Sequence, residues 1–312
     1  MRNWFICDRA LLLQLSSRAA STLFVACIFV MPAHAAGSDK QMTWLLNDRP
    51  PAFIIVNGLP TNGYVDSFLQ MITSQWTDVN HNFIVTPIGR AFSAIKKKEE
   101  VCFPGAVISR EREKIAYFTA THLQLPHQLI VRESAIKDIP LNKMGQVDLR
   151  LLMTSNELTG IINRGRSYSD QIDDLIKNKT NKAIVEEVSN YANGSNILRM
   201  LALGRGDYTF EYEQNFIYQL TKLKPLQGEK LIGLPIAELE TFKVGIACPL
   251  SPWGKATIER IDEILSRVSQ LPQYREAQMQ WVSDKFKSRY RKDFDEFYLQ
   301  RKSLTHYSDP PG

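Results

Sequence analysis

Short apolar runs alternate with amphipathic segments along most of this chain, and the alternation occurs in two successive series. An apolar run between turn residues predicts a buried strand, whereas apolar residues three and four positions apart predict a helix. Strands that alternate with helices form parallel sheets through right-handed crossovers. Two such series therefore predict an α/β fold in which two parallel-sheet lobes enclose a cleft.

The first series begins with a predicted strand at Met42–Leu46, followed by a loop over Asn47–Gly63 that is rich in proline and glycine. A helix is then predicted from one apolar stripe: Val65, Phe68, Leu69, Ile72 and Trp76. Further strands are predicted at 83–86, 101–103 and 128–132, with a helix at 91–98. We place the first passage between the lobes at the strand 128–132.

The second series predicts strands at 158–163, 183–188 and 208–212, with helices at 168–177 and 197–203. A return strand at 242–247 and a helix at 257–268 bring the chain back to the first lobe. The predicted first lobe therefore comprises 36–127 and 244–284, and the second comprises 128–243. Ligands of open α/β sheets bind beyond the carboxyl ends of the strands, so the loops after the strands are the candidate binding region.

The C-terminal tail, 285–312, carries aromatic residues at helical spacing between lysines and arginines. These aromatics are Phe286, Tyr290, Phe294 and Phe297. A helix packed on the lobe surface is the simpler interpretation. Contact with a partner or a membrane surface is the alternative.

The N-terminus has the pattern of a secretory signal peptide. Arg2 and Arg9 precede an apolar run, and Ala33-His34-Ala35 offers small residues at a cleavage site. The uncharged stretch is shorter than the roughly 20 apolar residues of a membrane span. Lipidation at Cys27 is the other alternative, but the residues after it remain apolar. We expect cleavage after Ala35 and a periplasmic protein.

Cleavage of 35 of the 312 residues leaves 277, and it removes three arginines and one aspartate, which lowers the net charge from +5 to +3. This small excess gives no support to nucleic-acid binding. Cys102 and Cys248 remain after cleavage, and an oxidising compartment favours a disulfide between them. Two buried free thiols are the alternative.

Several motifs resemble those of the family 3 extracellular solute-binding proteins. Pro50-Pro51-Ala52-Phe53 and Gly63-Tyr64-Val65-Asp66 look like the opening of that family. Ile108-Ser109-Arg110-Glu111-Arg112 is similar to its Ile-Thr-x-x-Arg segment, and Gly204-Arg205-Gly206-Asp207 is similar to its Gly-Arg-x-Asp segment. The motifs extend over nearly the whole mature chain. The resemblance implies the type II periplasmic binding protein fold and a small-molecule ligand, such as an amino acid.

Two departures from the family pattern concern the ligand. The resemblance places Arg112 where the family holds a carboxylate, and it implies that Arg112 contributes more binding energy than any other side chain; an ion pair with Glu111 or Glu113 is the alternative. Gly105 and Val107 replace the small hydroxyl residues expected upstream. Tyr212 replaces the acid that would hold a ligand ammonium. An ordinary α-amino acid is therefore not the secure prediction, and an anion is an equal candidate.

Further candidate ligand contacts come from the loops and from the same motifs. Arg166 and Ser167 precede a predicted helix, where backbone N–H groups favour an anion, although Ser167 or Ser169 is equally suited to capping. The remaining candidates are Phe53, Tyr64, Arg90, Ser109 and Tyr168. Core packing is the alternative for Phe53. His122 and His127 match no common metal site, and we assign them ordinary polar roles.

No motif for an enzyme of a common class occurs, so a binding protein is the favoured interpretation. By resemblance, the partner would be an inner-membrane ABC permease. A sensory module that acts on a membrane signalling protein is the alternative, and a periplasmic enzyme is the third hypothesis. We expect a monomer without a cofactor or metal.

Overall fold

The structure is a computed structural model that describes residues 40–178, 183–188, 195–222 and 229–303. These residues all belong to one unit, Asp39–Gly312. The predicted signal peptide 1–35, its cleavage site, Cys27 and the end of the tail lie outside the described residues. No helix among the described residues is both long enough and apolar enough to cross a membrane.

The first five-stranded sheet has the order β4-β1-β5-β12-β6. Its strands are β1 (Gln41–Leu46), β4 (Asn80–Val85), β5 (Val101–Val107), β6 (Ala116–Gln124) and β12 (Phe242–Pro249). The strands β4, β1 and β5 run parallel, and β12 runs antiparallel to both β5 and β6. A two-stranded ribbon, β2 (Ile55–Val56) with β3 (Leu59–Pro60), lies in the loop after β1. We call this sheet and the helices packed on it the first lobe.

The second five-stranded sheet has the order β11-β7-β10-β8-β9. Its strands are β7 (His127–Arg132), β8 (Thr159–Asn163), β9 (Ile184–Val188), β10 (Tyr208–Tyr212) and β11 (Leu231–Pro235). The strands β10, β8 and β9 are parallel, whereas β7 is antiparallel to its neighbours β10 and β11. We call this sheet and its helices the second lobe. The chain crosses between the lobes from β6 to β7 and returns from β11 to β12.

The helices cover the faces of the two sheets. Those of the first lobe are α1 (Tyr64–Gln75), α2 (Ile88–Lys96), α3 (Arg110–Glu113), α8 (Pro252–Val268), α9 (Pro272–Met279), α10 (Asp284–Arg289) and α11 (Arg291–Arg301). Those of the second lobe are α4 (Leu149–Leu152), α5 (Asp170–Lys177), α6 (Ser195–Ala202) and α7 (Glu213–Lys222), with a 3₁₀ turn at Glu133–Asp138. The apolar stripe of α1 is fully buried, which gives the period predicted from the sequence its physical basis.

The described part of the tail is built into the first lobe. Phe286, Phe294 and Phe297 are buried in the same cluster as the stripe of α1. At the end of α11, the buried Arg301 guanidinium lies 2.5 Å from Asp262 Oδ1, on α8. The two tail helices therefore contribute aromatic side chains to the core of the first lobe.

A disulfide joins Cys102 on β5 to Cys248 on β12, with the Cα atoms 4.5 Å apart. Both residues are buried in the core of the first lobe. The two cysteines lie on adjacent strands of one sheet, which is the reason that residues so distant in sequence are within bonding distance. The disulfide predicted from the cysteine count is therefore present.

The α/β class and the two-lobed architecture are confirmed, but each sheet is mixed and not all-parallel. The difference arises where the chain changes lobe. A strand that arrives from the other lobe, such as β7 or β12, does not enter through a helical crossover, so it is free to pair antiparallel. The strands β6 and β11 had no sequence prediction. In β6 the buried positions include the polar residues Thr119, Thr121 and Gln124, so the sequence lacks the apolar pattern that predicts a strand.

Candidate functional site

A cavity lies where the carboxyl ends of the parallel strands of both lobes face each other. From the first lobe, the cavity receives the loop after β1, the first turn of α2 and the ends of β5 and β6. From the second lobe, it receives the end of β10 and the start of α7. The lining residues are Asn47, Arg49, Ala52, Phe53, Tyr64, Val65, Ile88, Phe103, Gly105, Val107, His122, Gln124, Tyr212, Asn215, Phe242 and Val244. This is the position at which open α/β sheets bind ligands.

On the first lobe, the wall of the cavity is formed by the loop after β1. Hydrogen bonds to the Asp66 carboxylate fix this loop in place. Asp66 Oδ2 accepts hydrogen bonds from the backbone N–H groups of Ile54 at 2.8 Å, Gly63 at 3.0 Å and Thr61 at 3.3 Å. Asp66 is completely buried, and this burial raises the pKa of its carboxyl although the backbone donors act in the opposite direction. The Gly-x-x-Asp motif therefore positions the loop that carries Arg49 and Phe53.

Gly105 is required for the contact between β5 and Phe53. Its φ is +79°, and a Cβ there would lie 2.8 Å from Cε2 of Phe53. The hydroxyl residue that the family pattern led us to expect nearby is therefore replaced by close packing against an aromatic ring. Phe53 itself is 3% exposed and belongs to the core as well as to the cavity wall.

A chain of hydrogen bonds crosses the floor of the cavity. The Tyr64 hydroxyl donates to Gln124 Oε1 at 3.2 Å, and Gln124 Nε2 donates to Gln214 Oε1 at 3.0 Å. Gln124 ends β6 and Gln214 lies in α7, so these hydrogen bonds join the two lobes beside the first crossing of the polypeptide. Burial raises the pKa of Tyr64 to about 12, although the nearby Arg49 charge lowers it. The phenol is therefore neutral at physiological pH.

His122 lies in the wall of the cavity as a neutral side chain. Burial lowers its pKa to about 3. Its ring meets the ring of Tyr64 edge-on, with the centroids 5.4 Å apart, and Thr121 Oγ1 lies 2.9 Å from its Nδ1. At neutral pH His122 thus offers a polar but uncharged surface to the cavity.

Tyr212 is the main contribution of the second lobe, and it stacks on His127 with the centroids 3.7 Å apart. Burial raises the pKa of the Tyr212 hydroxyl, against the lowering effects of Arg49 and Arg166. Burial lowers the pKa of His127 well below its usual value, and the charges of Arg166 and Arg49 lower it further. This stacked pair is also uncharged at neutral pH.

Arg166 pairs with a carboxylate of its own lobe. Its two terminal nitrogens each donate to one oxygen of Glu211 at 2.6 Å, and its guanidinium lies over the Tyr168 ring at 4.9 Å. Burial alone would lower the pKa of Arg166, but Glu211 raises it overall. Glu211 also accepts hydrogen bonds from Asn215 Nδ2 at 3.1 Å and from the Tyr212 N–H at 2.9 Å. Neither member of this pair lines the cavity.

The structure brings three of the predicted ligand contacts together at the cavity, namely Phe53, Tyr64 and Tyr212. Arg112 does not line the cavity, but its guanidinium donates to the carbonyl of the lining residue Val107 at 3.0 Å and stacks over Phe92 at 4.5 Å. Ser109 caps α3 by accepting a hydrogen bond from the Arg112 N–H. Arg90 is exposed on α2 and does not line the cavity.

The other two candidates, Ser167 and Tyr168, make hydrogen bonds within their own segment of the second lobe. Ser167 Oγ donates to Asp173 Oδ2 at 2.6 Å, and Ser169 caps α5. The buried Tyr168 hydroxyl accepts a hydrogen bond from the Asn163 N–H at 2.9 Å. Neither residue lines the cavity between the lobes. Among the described residues, no group of three or more histidine, cysteine, aspartate and glutamate side chains is arranged to hold a metal ion.

Asn47, Arg49 and Asn215 are among the cavity residues that the sequence did not single out as ligand contacts. Asn47 and Arg49 follow β1 directly, and Asn215 follows β10. The rule that ligands bind beyond the carboxyl ends of strands was sufficient to find them, because it applies to every such loop and not only to loops that carry a family motif.

Comparison with solved structures identifies the class of fold. The chain is similar to the probable amino-acid ABC transporter extracellular-binding protein of Bacillus subtilis, with 15% identity, a TM-score of 0.61, and coverage of 79% of this chain and 99% of that one. It is also similar to a putative L-cystine ABC transporter protein from Listeria monocytogenes, with 16% identity, a TM-score of 0.56, and coverage of 79% and 97%. The fold is therefore that of the two-lobed periplasmic binding proteins.

A third similar structure is a histidine kinase sensor domain that resembles periplasmic binding proteins, with 19% identity, a TM-score of 0.56, and coverage of 78% of this chain and 97% of that domain. No protein-family model matches the chain, and no curated protein matches it by sequence. At identities below 20%, these similarities show the fold alone.

Proposed function

We propose that this chain is an exported solute-binding protein of the family 3 type, whose two lobes close on a small polar ligand. The observation that carries the proposal is the cavity itself. It lies between the lobes, receives side chains from both, and sits beside the two strand crossings that allow a hinge motion. A ligand that contacts both Tyr64 and Tyr212 would favour the closed state, because the open state breaks one set of these contacts.

The proposed ligand contacts are Phe53, Tyr64 and Tyr212 at the cavity, and Arg112 by family resemblance. The solved neighbours named as transporter proteins support delivery of the ligand to an inner-membrane ABC permease. We also propose that the protein reaches the periplasm after cleavage behind Ala35, and that it acts as a monomer without catalysis. Intact-mass measurement on a periplasmic extract would identify Ala36 as the first residue, whereas a retained Met1 or a lipidated Cys27 would contradict export by this route.

Ligand binding is tested with a thermal-shift screen of amino acids, organic acids and polyamines on the mature protein. A specific ligand binds the folded state only, so at 100 times its Kd it stabilises that state by about 2.7 kcal/mol. Small-angle scattering should then show a smaller radius of gyration with the ligand than without it. The Tyr212→Ala variant should lose the shift, and the Arg150→Ala variant, altered on an exposed face of α4, should retain it. A screen without any shift would refute the binding function.

A sensory role is the second candidate, and the similarity to a histidine kinase sensor domain is the observation that favours it. Uptake of the labelled ligand by cells that lack the protein separates the two roles. A transport protein is required for uptake. A sensory protein leaves uptake intact but is required for a ligand-dependent change in transcription.

A further inference from the structure

The cavity has an unbalanced charge. Arg49 is its one lining residue that is charged at neutral pH, and the described lining contains no carboxylate. Tyr64, His122 and Tyr212 are neutral for the reasons given above. Asp48, which precedes Arg49 in the chain, does not line the cavity. A ligand that enters this cavity therefore meets a single positive charge.

The Arg49 side chain is exposed and makes no hydrogen bond or ion pair with any described residue. Arg49 lines the same cavity as Tyr64 of the first lobe and Tyr212 of the second. A guanidinium has five N–H donors in a planar fork that matches a carboxylate. Arg49 is thus placed to bind an anionic group with two parallel hydrogen bonds.

The acids that would hold a ligand ammonium have other partners. Glu211 accepts from Arg166, Asn215 and the Tyr212 N–H. Glu213 accepts from Gln128 and, at 3.0 Å, from the backbone N–H of Ser283. A ligand ammonium would have to displace one of these buried sets of donors, which leaves charged or polar groups unpaired.

The rest of the lining is apolar and aromatic. Phe53, Phe103 and Phe242 contribute rings, while Ile88 and Val244 contribute aliphatic surface. Such walls favour an apolar ligand body, and Asn47 and Asn215 add neutral amide groups to the lining. Arg112, hydrogen-bonded to the carbonyl of the lining residue Val107, adds positive potential next to the cavity.

From this distribution we infer that the ligand is a monocarboxylate with an apolar, preferably aromatic, body and no ammonium group, and that Arg49 binds its carboxylate. The inference rests on the proposed solute-binding function and specifies the ligand class. It assigns the main anion contact to Arg49 and a weaker electrostatic role to Arg112.

Four probes that share a phenyl ring and differ in the head group test the ligand class by calorimetric titration or ligand-observed NMR. They are phenylacetate, phenylacetamide, phenethylamine and L-phenylalanine, and hexanoate tests whether the ring is needed. Phenylacetate should bind at least about tenfold more tightly than the amide, and the amine should be the weakest. Tighter binding of the amine or the zwitterion would overturn the inference but leave the binding function intact.

Variants test the assigned residue. Arg49→Ala should weaken phenylacetate binding by about 10–100-fold, Arg49→Lys should recover part of the loss, and Arg112→Ala should have a smaller effect than Arg49→Ala. Arg150→Ala should leave the affinity unchanged. Equal affinities for Arg49→Ala and the unaltered protein, or a larger loss for Arg112→Ala, would overturn the assignment. If none of the five probes binds at millimolar concentration, the inferred ligand class is wrong. If the wider thermal-shift screen also finds no ligand, the proposed binding function is wrong as well.

Discussion

In the second lobe, the charged side chains nearest the cleft pair with one another, whereas in the first lobe Arg49 faces the cleft without such a partner. Arg166 and Glu211 neutralise each other beneath Tyr212. The first lobe has its own balanced pair, Arg301 with Asp262, but this pair lies deep in the core between the tail and α8. Each lobe therefore contains a buried ion pair, whereas the described lining of the cavity carries one arginine and no carboxylate.

The lobes also differ in their covalent structure. The first lobe contains the disulfide, whereas the sequence of the second lobe contains no cysteine. The loop that the disulfide closes spans 146 residues and includes the whole second lobe. The second lobe is therefore inserted between β6 and β12, within the loop that the disulfide closes between β5 and β12.

Removal of the disulfide should have the largest effect on stability. Restriction of a loop of this length in the unfolded chain is worth about 4–5 kcal/mol in the chain-entropy model, so the double variant Cys102→Ala with Cys248→Ala should lose up to this amount. Urea unfolding of the variant and the unaltered protein measures the difference. The unaltered protein in the presence of a reductant is the control and should approach the variant. A loss below about 1 kcal/mol would show that the tie does not stabilise the fold.

Disruption of the ion pair in the second lobe should have the next largest effect. Glu211→Ala leaves the largely buried Arg166 without its carboxylate, and breaking such a pair costs about 3–5 kcal/mol. The double variant Arg166→Met with Glu211→Leu removes both charges and should cost much less. Urea unfolding of the three proteins measures both effects. A near-neutral Glu211→Ala variant would contradict the view that this pair is structural.

A third effect depends on pH and on two buried histidines, His122 of the first lobe and His127 of the second. The pKa of His122 in the folded protein is about 3, below the value of about 6.5 in an unfolded chain. The unfolded chain therefore takes up a proton first as the pH falls, and the stability present above about pH 6.5 is lost progressively towards pH 3. Between pH 7 and pH 5 the loss is on the order of 2 kcal/mol.

The His122→Gln variant keeps a polar group at this position but cannot titrate. Its free energy of unfolding should therefore fall less than that of the unaltered protein between pH 7 and pH 5. Denaturant unfolding at several pH values gives the two slopes. Burial also lowers the pKa of His127, so the histidine of the second lobe contributes acid sensitivity in the same direction in both proteins. Parallel slopes would contradict a neutral, buried His122.

Sequence patterns were sufficient for the elements whose burial is regular. The apolar stripe of α1 follows the helical period, and the helix lies within one or two residues of the predicted bounds. The strand β6 was missed because its buried face includes threonines and a glutamine that hydrogen-bond inside the protein, as Thr121 does with the Val244 carbonyl. Periodicity of apolar residues does not detect a strand whose buried positions are polar.

Partnerships across the sequence limited the prediction of the site. Arg166 and Glu211 were both noted, but 45 residues separate them, and nothing in either local pattern indicates that they pair. Resemblance directed attention to Arg112, which has a family motif, and away from Arg49, which has none. The charge balance of a cavity is a property of side chains from several elements, and it becomes visible only when the fold brings them together.

Arg49→Ala should have the smallest effect on stability, although it should have a large effect on binding. An exposed side chain without a hydrogen-bonded partner among the described residues contributes little to the fold, so the free energy of unfolding should change by less than about 0.5 kcal/mol. The loop itself is held by Asp66 through the backbone N–H groups of Ile54, Thr61 and Gly63, and these contacts do not involve the Arg49 side chain. Urea unfolding beside Glu211→Ala gives the direct comparison between the two lobes. A loss above about 1.5 kcal/mol would mean that Arg49 supports the structure as Arg166 does, and the contrast between a paired and an available arginine would no longer hold.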